Sequence, residues 1–202
     1  MIHQPVPDIF GKSRIVALDL ETSGLNVKYN TIIEIGMVEM VNGVVKSTPR
    51  QLFGGGHSSM YLVRKVHHIP DYERRGRRTF KDCAGKIADF LSNSIIVTHN
   101  GNSFDLPMIQ RKLADAGYSI KNFKSLDTLQ LVRKMRKAEE GDDADDDKRH
   151  RGRNTLENLC AEFGLVYGGD SGDSAHRGLE DAEACLDLLF FLVNSGRISV
   201  KI

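Results

Sequence analysis

The stretch Ile15-Val16-Ala17-Leu18-Asp19-Leu20-Glu21-Thr22-Ser23-Gly24-Leu25 decides how the rest of the chain reads. Its apolar run up to Leu20 predicts a strand buried on both faces, with two carboxylates set into it at positions i and i+2. Side chains two apart on a strand point the same way, so Asp19 and Glu21 project from one face. Held together in a poorly hydrated place, two anions repel and take up a proton unless a cation lies between them. Paired carboxylate oxygens suit a hard divalent ion, above all Mg²⁺ or Mn²⁺. The plainer alternative is a strand that stops at Leu18 and leaves both acids solvated in the next turn; a D-x-E pair alone does not separate the two.

A chain of 202 residues is long enough for a proper core and fits one sizeable domain. The expected organisation is a single domain over 1–202, with residues 1–13 a loosely packed arm and 138–153 a charged, mobile loop insertion. With 40% hydrophobic and 27% charged residues the composition is that of a soluble globular protein. A net charge of +1 gives no blanket affinity for nucleic acid, so any such binding must come from local patches. No apolar run approaches membrane-spanning length, and the first residues lack the apolar core of a signal peptide. The expected location is therefore the cytoplasm, or the nucleus in a eukaryote, with no membrane contact. Cys83, Cys160 and Cys185 are widely spaced and read as buried thiols of a reducing compartment.

Along the chain, Thr31 to Val41 is β-rich and Asn42-Gly43 predicts a type I′ hairpin into a strand from Val44, with Pro49 ending it early or marking an edge. Helical spacing covers Thr79 to Leu91 with Thr79 as cap, and Ser103 to Ala116 closed by Gly117. Between them, Ile95 to Thr98 is a short buried strand, whose setting between helices predicts a parallel crossover. Lys124 to Leu126 is a further strand, and Asp127 is placed to cap a helix through Met135. Within the block Glu139 to Asp147, a calcium loop read from Asp143 fails, because its sixth position is Lys148 where glycine is needed and its twelfth is Asn154 where glutamate is needed. Two helices follow, one capped by Asn154 or Thr155 and one from Glu180 to Asn194. The fold class is α/β: a mixed sheet, antiparallel meander plus parallel strands, flanked by helices.

Two further acids stand at helix starts. Asp105 follows a buried parallel strand and an Asn-Gly turn, which delivers it to the carboxyl end of the sheet, where ligands bind in such folds. Asp181 has His176 five residues before it. Either acid alone reads as a first-turn residue favoured by the helix dipole.

Together, Asp19-x-Glu21-Thr22-x-Gly24, His99-Asn100 to Phe104-Asp105 and His176-x₄-Asp181 resemble the DEDDh 3′→5′ exonucleases, the DnaQ-like family of RNase H-like fold. The likeness extends to Ile32 to Gly36, Val66-His67, Asp127 to Leu129 and Thr155 to Leu159, and so covers nearly the whole chain. His99 to Gln110 looks more like the TREX-type enzymes and His176 to Cys185 more like the proofreading subunit. His68-Ile69-Pro70 and the long charged insertion depart from the usual pattern. The resemblance implies that Asp19, Glu21, Asp105 and Asp181 hold two divalent metal ions, Mg²⁺ or Mn²⁺, and that His176 is the general base. It implies that Thr22 grips the terminal hydroxyl and Leu25 wedges against the terminal base. Asn100 and His67 are further substrate candidates, whereas His99 reads more readily as structural. Arg64, Lys65, Arg74, Arg75, Arg77, Arg78 and Lys81 form a basic patch for phosphates. The implied activity is hydrolysis of single-stranded DNA from its 3′ end to nucleoside 5′-monophosphates. RNA or short oligoribonucleotides are the alternative substrate, and a catalytically silent nucleic-acid- or polymerase-binding module the alternative function. A DNA polymerase and a second copy of the chain are the candidate protein partners.

Overall fold

The computed structural model describes residues 2–55, 67–141, 152–168 and 177–201. Among these the sheet has six strands: β1 (Arg14–Thr22), β2 (Ile32–Val41), β3 (Val44–Ser47), β4 (Gln51–Leu52), β5 (Ile95–Thr98) and β6 (Lys124–Asp127). Their order is β3-β2-β1-β5-β6, with β4 also on β2. β1 pairs antiparallel with β2 and parallel with β5, so the strand that carries the two acids is the centre of the sheet. The hairpin between β2 and β3 has Asn42 and Gly43 at φ 49° and 77°, as its type I′ signature requires. Beyond Ser47 the edge strand breaks over Thr48 to Arg50, where Pro49 has no amide to give the ladder, and resumes as β4.

Helices cover both faces. β1 alternates: Val16, Leu18 and Leu20 face α2 (Phe80–Leu91) and α3 (Asp105–Asp115), while Ile15 and Ala17 face the core of α4 (Thr128–Glu140), α5 (Leu156–Phe163) and α6 (Gly178–Asn194). Asp19 and Glu21 continue the Ile15–Ala17 face, and so point to the α6 side. A short α1 (Asp71–Arg74) precedes α2. Thr79 caps α2 in a capping box with Asp82, Asp127 caps α4, and Thr155 caps α5. The helix after Asp127 runs on past Met135 to Glu140. Most of the charged insertion, 142–151, lies outside the described residues.

One expectation is corrected. The N-terminal arm is docked, not loose: Phe10 is fully buried against Phe190, and the amides of His3 and Gln4 donate to the Asp187 carboxylate at 2.9–3.0 Å. Asn194 Nδ2 adds a bond to the Pro5 carbonyl at 2.8 Å. The reason is Asp187 itself, an acid inside the apolar face of α6, which cannot stay buried without donors. Phe10→Ala is expected to cost about 3–5 kcal/mol, the usual loss for a buried phenylalanine, in urea-unfolding experiments. A change below about 1 kcal/mol would mean that the arm contributes little to the fold.

Candidate active site

β1 remains a strand through Thr22, so Asp19 and Glu21 stay in the ladder opposite Gly36 and Glu34. α6 packs along that face, and at its start the approach is closest-fitting: a Cβ added to Gly36 would collide with the backbone of Gly178. The amide of Gly178 donates to Glu34 Oε1 at 3.0 Å, fixing the first turn of α6 on β2. Asp181 lies one turn further along. Carboxylate oxygens of Asp19, Glu21 and Asp181 accordingly come within 4.8 Å of one another. Asp105 arrives from the other side. β5 pairs with β1 only as far as Ala17, which leaves the Leu20 amide beyond the parallel ladder, and Asp105 Oδ1 accepts it at 3.1 Å. The fourth carboxylate is thus bound to the peptide between the first two.

This concentration of anions raises the cost of ionisation. Burial first, then Asp105, Asp181, Glu21 and Glu34, push the Asp19 carboxyl well above its ordinary range. Burial also pushes Asp105 up to about 7. Oxygen donors only, from four carboxyl groups gathered under mutual repulsion, match the chemistry of a Mg²⁺ or Mn²⁺ site. His176 lies outside the described residues, and Arg177, which follows it, reaches Glu73 of α1 at 4.0 Å.

The exonuclease family profile RNase_T matches residues 16–189, the span from β1 into α6. The chain belongs to the DnaQ-like exonuclease family. Among its relatives, the DNA polymerase III subunit epsilon of Treponema pallidum is 25% identical over 193 residues, covering 96% of this chain and 82% of that protein. The PolC-type DNA polymerase III of Clostridium perfringens is 27% identical over 176 residues, which are 87% of this chain and 11% of that much longer protein. The crystal structure of E. coli Exonuclease I in complex with a dT13 oligonucleotide superposes with a TM-score of 0.73 at 16% identity, over 90% of this chain and 41% of that one. That likeness concerns the fold, which is RNase H-like.

The remaining sequence candidates divide between surface and interior of this exonuclease domain. Thr22 is buried with Oγ1 donating to the Gly24 carbonyl at 2.9 Å, and Leu25 beside it is 82% exposed. Asn100 holds a left-handed φ of 61°, and its side chain is exposed. His99 uses both ring nitrogens within the protein, Nδ1 on Thr128 Oγ1 and Nε2 on the Asn154 carbonyl, each at 2.9 Å. It ties β5 to the segment leading into α5, and burial lowers its pKa. His67 is buried; its Nδ1 accepts from the Ile69 amide at 2.9 Å, so that nitrogen is turned to the chain and not to solvent. Arg74 leaves the basic patch: its guanidinium is buried on the carbonyls of Phe53 and Gly55, because the loop after β4 has no ladder to satisfy them. Arg75, Arg77, Arg78 and Lys81 stay exposed, while Arg64 and Lys65 lie outside the described residues.

Three residues support the site, and of these the sequence singles out Asp127 alone, as a helix cap. Glu34 is fully buried next to Glu21, with Arg50 3.8 Å from its second oxygen. Asp127 does more than cap α4: its carboxylate also accepts the amides of Asn100 and Asn102 at 2.9 and 3.0 Å, shaping the turn that presents Asp105. Tyr167 hydrogen-bonds Asp181, and burial together with that acid's charge raises its phenol pKa. An acid in the apolar strand Ile32-Ile33-Glu34-Ile35 was the available signal for Glu34; nothing local marks Tyr167.

For metal-free protein the sign follows from the raised carboxyls. Asp105 ionises near pH 4 when unfolded and about 7 when folded, so stability present at low pH is lost as pH rises through that window. Scanning calorimetry in EDTA should show Tm falling across it, with Mn²⁺ restoring more at the alkaline end and Asp105→Asn flattening the fall. Glu34→Ala leaves the Gly178 amide without its acceptor and should cost about 1–3 kcal/mol in urea unfolding, whereas Glu34→Gln, which keeps an oxygen there, should retain most of the stability.

Proposed function

We propose that this chain is a metal-dependent 3′→5′ exonuclease that hydrolyses phosphodiester bonds at single-stranded 3′ ends, DNA in preference to RNA, releasing nucleoside 5′-monophosphates. The observation that carries the proposal is the meeting of Asp19 and Glu21 with Asp181, from opposite ends of the chain, within 4.8 Å, and with Asp105 tied to the peptide between them. These four carboxylates would hold two divalent ions, Mg²⁺ or Mn²⁺. When bound, such ions supply a nucleophile from water at neutral pH and stabilise charge on the leaving 3′ oxygen. His176 takes the proton from the attacking water, a role suited to an imidazole with an unperturbed pKa of about 6.5. Thr22 and the adjoining backbone hold the terminal hydroxyl, and Leu25 stands against the terminal base. Apolar contact of that kind is indifferent to base identity, so little sequence preference is expected. The named polymerase relatives support a DNA polymerase as partner.

The test is digestion of matched DNA and RNA oligomers with Mg²⁺ or Mn²⁺, Asp19→Ala serving as control. The proposal expects DNA to be shortened from its 3′ end to mononucleotides, and the control to be inert. Faster digestion of RNA would make the chain an exoribonuclease, since a single contact to the 2′-hydroxyl can decide that choice. Ion binding with no digestion of either polymer would leave a silent binding module. Replacing His176 by Ala should slow turnover about 10²–10⁴-fold with metal binding intact, and a near-normal rate would remove its assigned role.

A further inference from the structure

We propose that the loop between β1 and β2 carries a second nucleotide position: Tyr29, with Lys28 beside it, is a stacking platform for a base inward of the 3′ terminus. This rests on the exonuclease reading above. The loop is built to hold a fixed shape. Asn26 Oδ1 accepts the amides of Lys28 and Tyr29 at 3.0 and 3.2 Å, and the Asn26 carbonyl accepts the Asn30 amide at 2.8 Å, closing a single helical turn. Asn30 Oδ1 returns to the Asn26 amide at 2.9 Å. At the root, buried Ser23 accepts the Thr31 amide on Oγ at 2.9 Å, and Lys112 of α3 reaches the Lys28 carbonyl at 3.4 Å.

Val27 turns inward against the core beneath α2 and α3, while Leu25 and Tyr29 turn outward, 82% and 68% exposed. Leu25 enters the turn that Tyr29 closes, so both outward side chains belong to the same short loop leaving the acid-bearing strand. The 3′ nucleotide is the last of its strand, so a further base that this loop meets lies inward of the one at Leu25. Lys28 Nζ lies over one face of the ring, 5.3 Å from its centroid, so the opposite face is the one offered to a base, with the ammonium near enough to serve that nucleotide's phosphate. Because the hydrogen bonds already order the loop, little conformational freedom remains to be lost on binding. Stacking on such a ring does not distinguish bases, in keeping with an enzyme that must accept any sequence.

The chain contains no tryptophan, so Tyr29→Trp introduces a single indole reporter. Oligothymidylate and oligouridylate protected by 3′ phosphorothioates should quench it; quenching by only one assigns the platform to that polymer. Tyr29→Ala should raise KM for the oligonucleotide about tenfold with kcat unchanged, and Tyr29→Phe should restore it. The p-nitrophenyl ester of thymidine 5′-monophosphate has no inward base, and its KM should not move. No quenching, an unchanged oligonucleotide KM, or an equal rise on the ester would each overturn the platform. If wild-type protein digests nothing yet the Tyr29→Trp indole is quenched, the exonuclease reading falls and the platform stands; digestion without quenching gives the reverse.

Discussion

Four carboxylates are forced together at one edge of a buried strand, and most of the polar architecture exists to hold them against their repulsion. Burial and neighbouring anions raise the cost of ionising Asp19 and Asp105, so the site is intrinsically unfavourable in the absence of cations. The backbone opposes that tendency from three directions. β1 is pinned on both sides by β2 and β5. α6 is held on β2 where two glycines meet and Gly178 bonds Glu34. α3 is tied by Asp105 to the Leu20 amide. Each restraint takes hold of backbone on β1 or α6, which moves less than a side chain would.

The same solution recurs away from the acids. Asp127 collects amides from the Asn100–Asn102 turn and from the start of α4, so one carboxylate sets both the presentation of Asp105 and the direction of a helix. Asp187 collects the amides of His3 and Gln4 and thereby docks the arm on α6, the helix that carries Asp181. Arg74 gathers the carbonyls of Phe53 and Gly55, and Arg136, almost fully buried, bridges to Glu162 and joins α4 to α5. Buried charge here is satisfied mainly by backbone groups, and each such pairing fixes an element that borders the site.

The proposed function divides between a rigid interior and a displayed rim. Inside are the four acids and their supports; outside are Leu25, Lys28, Tyr29, Asn100 and the arginines following α1. The span matched by the family runs from β1 into α6 and includes all four acids.

Local sequence determined a good deal. The two-residue period of a strand put Asp19 and Glu21 on one shared face; Asn42-Gly43 set the hairpin; Thr79, Asp127 and Thr155 set three helix starts, because capping depends on groups within a few residues. The acids, too, were legible as motifs. What only the tertiary structure decided depends on contacts between distant segments: the docking of the arm on Asp187, the burial of Arg74, the use of both His99 nitrogens, the support of Gly178 by Glu34 and the bond from Tyr167 to Asp181. A charged or imidazole side chain reads the same in sequence whether it faces solvent or a carbonyl from elsewhere in the chain, and packing alone makes that choice.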